Sequence, residues 1–158
     1  MKIEVKSVKL GSLVIDEEKV IHFSEGIPGF PEAKRYALIE NGKDHPFFWL
    51  QSLDDLELAF VVTDPLMFKP DYRPQIPQEI LEELEIQSAE SIAVMAILTI
   101  PQEDPLNITA NLMAPLVVNT QTRKGKQVVM TDSDYTHREP ILSPFIENVS
   151  KSTMAEAG

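Results

Sequence analysis

The residues that could do chemistry are few and scattered. His22, His45 and His137 lie far apart, no two of them share an H-x-x-x-H spacing, and the chain has no cysteine. A catalytic zinc needs three nitrogen, oxygen or thiolate ligands brought together, so this inventory argues against one. Disulfides, thiolate nucleophiles and cysteine-held clusters are excluded. Asp132, Ser133 and Asp134 open like a calcium loop, but the glycine at its sixth position and the glutamate at its twelfth are missing. Gly26-Ile27-Pro28-Gly29-Phe30-Pro31 is glycine-rich like a phosphate loop. It lacks the G-K-[ST] ending, and its prolines remove amide donors that phosphates need, so it reads as a rigid turn between strands. No G-x-S-x-G occurs. Asp54 and Asp55 could serve acid–base work, but adjacent carboxylates are common on acidic surfaces. No cofactor or metal is expected.

Most of the chain around these residues reads as short strands. Lys2 to Leu10 begins with strict alternation of charged and apolar residues, as a half-buried strand requires. Further strands are expected at Leu13–Ile15, Lys19–Phe23, Arg35–Glu40, Phe47–Gln51, Leu58–Thr63, Ile92–Ile100, Asn107–Ala110, Leu116–Asn119 and Lys126–Met130. Asp16 to Glu18 is a polar turn, and Asn41-Gly42 opens a longer loop through Pro46. One short helix is expected over Pro77–Leu84, with Pro77 in its first turn and Ile80, Leu81 and Leu84 on one stripe. A short turn or helix fits Ser143–Glu147. Nine or ten strands, 12 prolines and one helix predict an all-β fold, an antiparallel, closed or nearly closed barrel. Closure would remove the open strand edges. Residues 1–147 are expected to form this single domain, and 148–158 a flexible tail.

The length of 158 residues and an apolar content of 43% suit one globular core. The N-terminus shows no signal-peptide apolar segment, and the longest apolar run is about half of what a membrane helix needs. The expected compartment is therefore the cytoplasm, and Asn107-Ile108-Thr109 and Asn148-Val149-Ser150 are chance matches to glycosylation acceptors. With 25 acids against 14 bases the net charge is −11, which repels phosphate backbones and attracts basic partners. Residues 46–92 hold 10 of the acids and 2 of the bases. This concentration is either a solvated face or a docking surface for a basic partner.

Two stretches exceed what turns require. Leu50 to Pro65 runs from a polar, acidic loop (Gln51, Ser52, Asp54, Asp55, Glu57) into an almost wholly apolar strand, which must be buried on both faces, and ends at Asp64. Asn111 to Asn119 sets two asparagines around an apolar segment broken by Pro115. Loop-satisfying roles for Asn111 and Asn119 are the plainer reading.

Together with Gly26 to Phe30, Phe68, and Pro70-Asp71-Tyr72, these segments carry a resemblance. Taken in order from about residue 3 to about residue 145, the chain resembles the flagellar assembly factor FliW family. The motif positions are Gly29, Gln51, Asp64, Asn111, Pro115 and Asn119, without assigned roles. The resemblance implies a cytoplasmic, barrel-like regulator, monomeric and not an enzyme. It implies binding to CsrA, a basic RNA-binding dimer that represses flagellin translation, at a place away from the RNA surface. It also implies binding to unassembled flagellin, with the two partners forming a switch. Direct contact with nucleic acid or membrane is not expected. On charge, Asp54, Asp55, Glu57 and Asp71 are the candidate CsrA surface. For the amphipathic flagellin helices the candidate groove is aromatic: Phe47, Phe48, Trp49, Phe68 and Tyr72, for which core packing is the alternative.

Two other function classes remain from the residues alone. An acid–base hydrolase using the middle carboxylates needs a concave pocket and a carboxylate of raised pKa. A small-ligand barrel needs an open apolar cavity inside it.

Overall fold

In a computed structural model the described residues are 1–40, 47–104, 107–131 and 133–141. Among them are eleven strands: β1 (Lys2–Ser7), β2 (Gly11–Asp16), β3 (Ile21–Phe23), β4 (Arg35–Glu40), β5 (Phe47–Ser52), β6 (Ala59–Thr63), β7 (Ile92–Thr99), β8 (Thr109–Ala110), β9 (Leu116–Asn119), β10 (Lys124–Gln127) and β11 (Glu139–Pro140). The one α-helix, α1, is Gln78–Glu83. The sheet runs β7-β6-β5-β4-β3-β10-β9 and returns to β7, so seven strands close a barrel. Every ring pairing is antiparallel except β3 with β10, which is parallel. β1 and β2 form a separate hairpin, and β8 and β11 extend from β7.

Alternation along the strands sorts side chains into three clusters. One fills the barrel: Phe23, Tyr36, Leu50, Val62, Leu116 and Val118 with neighbours, all buried. Phe23 meets Tyr36 edge-on at 5.4 Å, and Tyr36 packs on Phe60 at 6.2 Å. The interior is thus a packed core, which weighs against a ligand cup. The second cluster lies outside the barrel wall, where Phe47, Ala96, Leu98 and Val117 are covered by Phe68, Tyr72, Leu84, Met130 and Ile141. The third lies under the β1–β2 hairpin, where Val5, Ile15 and Val20 cover Ala37. β6 shows why its sequence is apolar throughout: Val62 belongs to the interior and Val61 packs against the outer cluster. Its faces are not fully closed, however, since Phe60 and Val61 are only half-buried.

Several boundaries move. The expected strand from Lys19 starts at Ile21, because Glu17–Lys19 turn in a short 3-10 helix on the Asp16 carboxylate, which accepts from Glu18 N at 3.1 Å. The strand expected over Lys126–Met130 lies at Lys124–Gln127. Beyond it the chain leaves the regular ladder, although Val128 N still donates to Pro115 O and Met130 N to Met113 O. Asn107–Ala110 shortens to Thr109–Ala110. Pro77 caps the helix from outside rather than filling its first turn. The expected loop from Asn41 through Pro46, the turn at Ser143–Glu147 and the tail 148–158 lie outside the described residues.

α1 ends with Glu85 at φ 59°, while Ile86 N bonds Leu81 O and Glu85 N bonds Glu82 O. This is a Schellman stop built on a glutamate where glycine is favoured.

Candidate functional site

The motif positions organise turns. Gln51 is fully buried on β5. Its Oε1 accepts the Ser7 hydroxyl at 2.6 Å, and its Nε2 donates to Ser52 O at 2.8 Å and Leu58 O at 3.2 Å. One side chain thereby ties the β1–β2 hairpin to the β5–β6 turn. Asn119, also buried, donates to Leu84 O and Glu85 O and accepts from Gln121 N and Thr122 N. It holds the end of α1 against the β9–β10 turn. Asn111 accepts from Ala114 N at 3.0 Å, and Asp64 accepts from Leu66 N at 3.0 Å, starting the short 3-10 turn Pro65–Met67. Pro115 is buried, and its carbonyl takes the Val128 N–H.

The glycine-rich segment is a turn. Phe30 N donates to Ile27 O at 2.7 Å, with Pro28 and Gly29 (φ 94°) at the centre, the arrangement of a type II turn. Gly26 has φ 67°, and a Cβ there would stand 2.6 Å from Phe30 O. The turn therefore tolerates no side chain at Gly26 and presents Phe30 outward, 41% exposed.

The acidic loop lies beside it. Asp54 Oδ2 accepts from Lys34 N at 2.8 Å and Arg35 N at 2.9 Å, and Oδ1 pairs with Arg35 Nε at 2.9 Å. Partial burial alone would raise the Asp54 pKa. The two amides, the guanidinium hydrogen bond and its charge outweigh that and hold the carboxyl below its usual range. A general acid needs the opposite shift, so Asp54 is not suited to that role. Asp55 Oδ1 accepts from Glu57 N at 3.1 Å, and Ser52 Oγ accepts from Asp55 N at 2.9 Å. Asp55 and Glu57 are exposed and have no cationic partner among the described residues. Asp54, Asp55 and Glu57 thus share one turn, whereas Asp71 is exposed on a different element, the segment that covers the outer cluster.

The aromatic candidates are mostly core. Phe47, Phe68 and Tyr72 are buried in the outer cluster, and the Tyr72 hydroxyl donates to Leu112 O at 2.7 Å. Trp49 and Phe48 are half-buried. Trp49 stands between Ile39 of β4 and Val61 of β6, both also half-buried. Phe30 and Leu56 were not singled out as contacts from the sequence. The glycines beside Phe30 and the acids beside Leu56 were the only signals. No group of three or more potential metal ligands occurs among the described residues, and no helix there is long and apolar enough to cross a membrane.

Comparison with known proteins agrees with this architecture. The family model described as FliW protein matches residues 4–141. The flagellar assembly factor FliW of Treponema denticola is 41% identical over 140 residues, covering 89% of this chain and 94% of the relative. That of Syntrophomonas wolfei is 43% identical over 141 residues, covering 89% and 90%. A crystal structure of the flagellar assembly factor FliW superposes with a TM-score of 0.82 at 33% identity, covering 89% of this chain and 98% of the other. With the family model spanning nearly all the described residues, the chain belongs to the FliW family of flagellar assembly factors.

Proposed function

We propose that this protein is a cytoplasmic, non-enzymatic regulator of flagellar assembly that binds CsrA and unassembled flagellin in a partner switch. Flagellin inside the cell would hold it. Once flagellin is secreted, the freed protein would sequester CsrA and relieve repression of flagellin translation. Membership of the FliW family over residues 4–141 carries the reading. The charge supports it: a net −11 chain suits a basic partner, speeds encounter and makes it salt-sensitive. Asp55 and Glu57 are the uncompensated acids of the β5–β6 turn, with Asp54 holding the turn in shape. Asp71 would belong to a second contact. An acidic body bound beside the RNA surface also repels RNA across a Debye length of about 8–10 Å, without occupying the RNA site.

For flagellin, the part-exposed strip of Ile39, Trp49 and Val61 suits the apolar face of an amphipathic helix. The buried Phe47, Phe68 and Tyr72 belong to the outer cluster against which Val61 of this strip packs. The protein is expected to act as a monomer.

Calorimetric titration with CsrA at two salt concentrations, repeated with flagellin already bound, tests the reading. Binding that weakens with salt and vanishes with flagellin is expected. No heat with either partner would refute it.

A further inference from the structure

Three depressions with shared lining residues lie where the β3–β4 connection, the β5–β6 turn and β1 meet. One of about 550 Å³ is lined by Phe30 and Leu56 together with Glu32, Asp54 and Asp55. It shares Leu56 with a second of about 440 Å³ against β1, and Glu32 and Asp54 with a third of about 460 Å³. Phe30 and Leu56 are 41% and 38% exposed, two large apolar groups facing a shared hollow.

Both are held from behind. The type II turn fixes the Phe30 backbone, and its ring sits edge-on to Phe60 at 5.6 Å, which packs on buried Tyr36. The Leu56 carbonyl accepts the Val8 N–H at 3.0 Å. A ring ordered in advance, as at Phe30, loses little freedom on binding, and the Leu56 backbone is likewise fixed, which favours an anchor role. Charge is one-sided in the first depression: Asp54 is paired with Arg35, Glu32 and Asp55 have no cationic partner among the described residues, and no lysine or arginine lines it, whereas Lys6, Lys34 and Arg35 line the two beside it.

We propose that this hollow is an anchor site for a protein partner, taking an apolar side chain displayed between arginines or lysines. The apolar walls select the side chain, and the unpaired carboxylates select its cationic flanks. The inference rests on the CsrA reading for the partner's identity, and the hollow's own chemistry is testable apart from it.

The experiment titrates CsrA into the full chain and into Phe30→Ala, Leu56→Ser, Glu32→Lys with Asp55→Lys, and Glu79→Lys on α1 as a remote charge control. Circular dichroism confirms the fold of each. In parallel, a synthetic pentapeptide with a central leucine flanked by two arginines on each side is titrated by NMR against the wild type, with a serine-centred peptide as control. Phe30→Ala and Leu56→Ser should each weaken CsrA binding tenfold or more with an unchanged salt slope. The charge pair should weaken it most at low salt and flatten the slope, and Glu79→Lys should change it less than threefold. If wild type binds CsrA but Phe30→Ala and Leu56→Ser bind within twofold of it, the anchor site is overturned and the CsrA reading stands. If CsrA does not bind wild type, the CsrA reading fails. The peptide then decides: leucine-dependent shifts at Phe30 and Leu56 uphold the anchor site, and their absence overturns it.

Discussion

Gln51 gives the sharpest test of how this fold is tied together. Replacing it by alanine removes the bonds to Ser7 Oγ at 2.6 Å, Ser52 O at 2.8 Å and Leu58 O at 3.2 Å. At about 1 kcal/mol net for each bond, the loss is about 3 kcal/mol. The vacated space adds to it, since Gln51 has no solvent contact to collapse toward. Such a loss is a large share of the roughly 5–15 kcal/mol that domains of this size hold. Urea unfolding followed by the fluorescence of the single tryptophan, Trp49, reads it directly. A double-mutant cycle with Ser7→Ala isolates the hairpin tie, expected at about 1 kcal/mol. Removing both partners as Gln51→Leu with Ser7→Ala should restore part of the loss, because the Ser7 hydroxyl is then not stranded, although the part-buried Leu10 N–H loses its acceptor, Ser7 Oγ at 3.0 Å. Hydrogen exchange should show β1 and β2 opening first in Gln51→Ala. A loss below about 1 kcal/mol, or a coupling near zero, would refute the clamp.

Four further outcomes follow from the same geometry. Asn119→Ala strips two donors and two acceptors from the join between α1 and the β9–β10 turn, and should cost about 3–4 kcal/mol with faster exchange in α1. Glu85→Gly relieves a left-handed backbone and should raise stability by about 1 kcal/mol in urea unfolding, since its exposed pair with Lys124 contributes little. Burial, with Asp54 and Asp55 adding to it, pushes the Tyr36 pKa up to about 12 from 10.0, so the unfolded chain loses that proton first and stability falls between those pH values. Tyr36→Phe should flatten that decline and be neutral or stabilising at pH 7, because the buried hydroxyl has no hydrogen-bond partner among the described residues. The Asp54 pKa is depressed in the fold, so its stabilisation is present above the unfolded value of about 4 and lost as pH falls through the folded value; acid titration of Asp54→Asn should show a shallower loss.

The strands legible in the sequence were those whose residues decide their own burial. Arg35–Glu40 and Leu116–Asn119 appear with unchanged boundaries. Lys126–Met130 slipped because Val128, Val129 and Met130 look like a strand, yet the regular pairing lies over Lys124–Gln127, opposite Leu116 to Val118. β11 is two residues long, and its pairing with β8 is a tertiary fact that leaves no local pattern. The parallel contact of β3 with β10 is equally invisible, since it joins distant segments. At the candidate site, Asp54, Asp55 and Glu57 are adjacent in sequence and stay together, so their grouping was readable. Phe30 beside Leu56 depends on how two turns meet, and no spacing rule carries that. Core packing was a reading the sequence offered for the rings at Phe47, Phe68 and Tyr72, and all three are buried; which rings of the set are exposed was not readable, because that is set by the segments folded over them.

The parallel pairing of β3 with β10 also sets a timetable. His22 finds its partner Lys124 only after all of β4 to β9 has been made. On the ribosome, a chain that has reached β7 can form a sheet but not a barrel. Its β3 edge stays unpaired, and Phe23 and Tyr36 stay wet. Closure also brings together the most distant partners in the ring, so it bears the largest loop-closing entropy and belongs late in folding. A chain cut short before Lys124 is therefore not a smaller barrel but an open sheet with an adhesive edge, prone to pair with its neighbours.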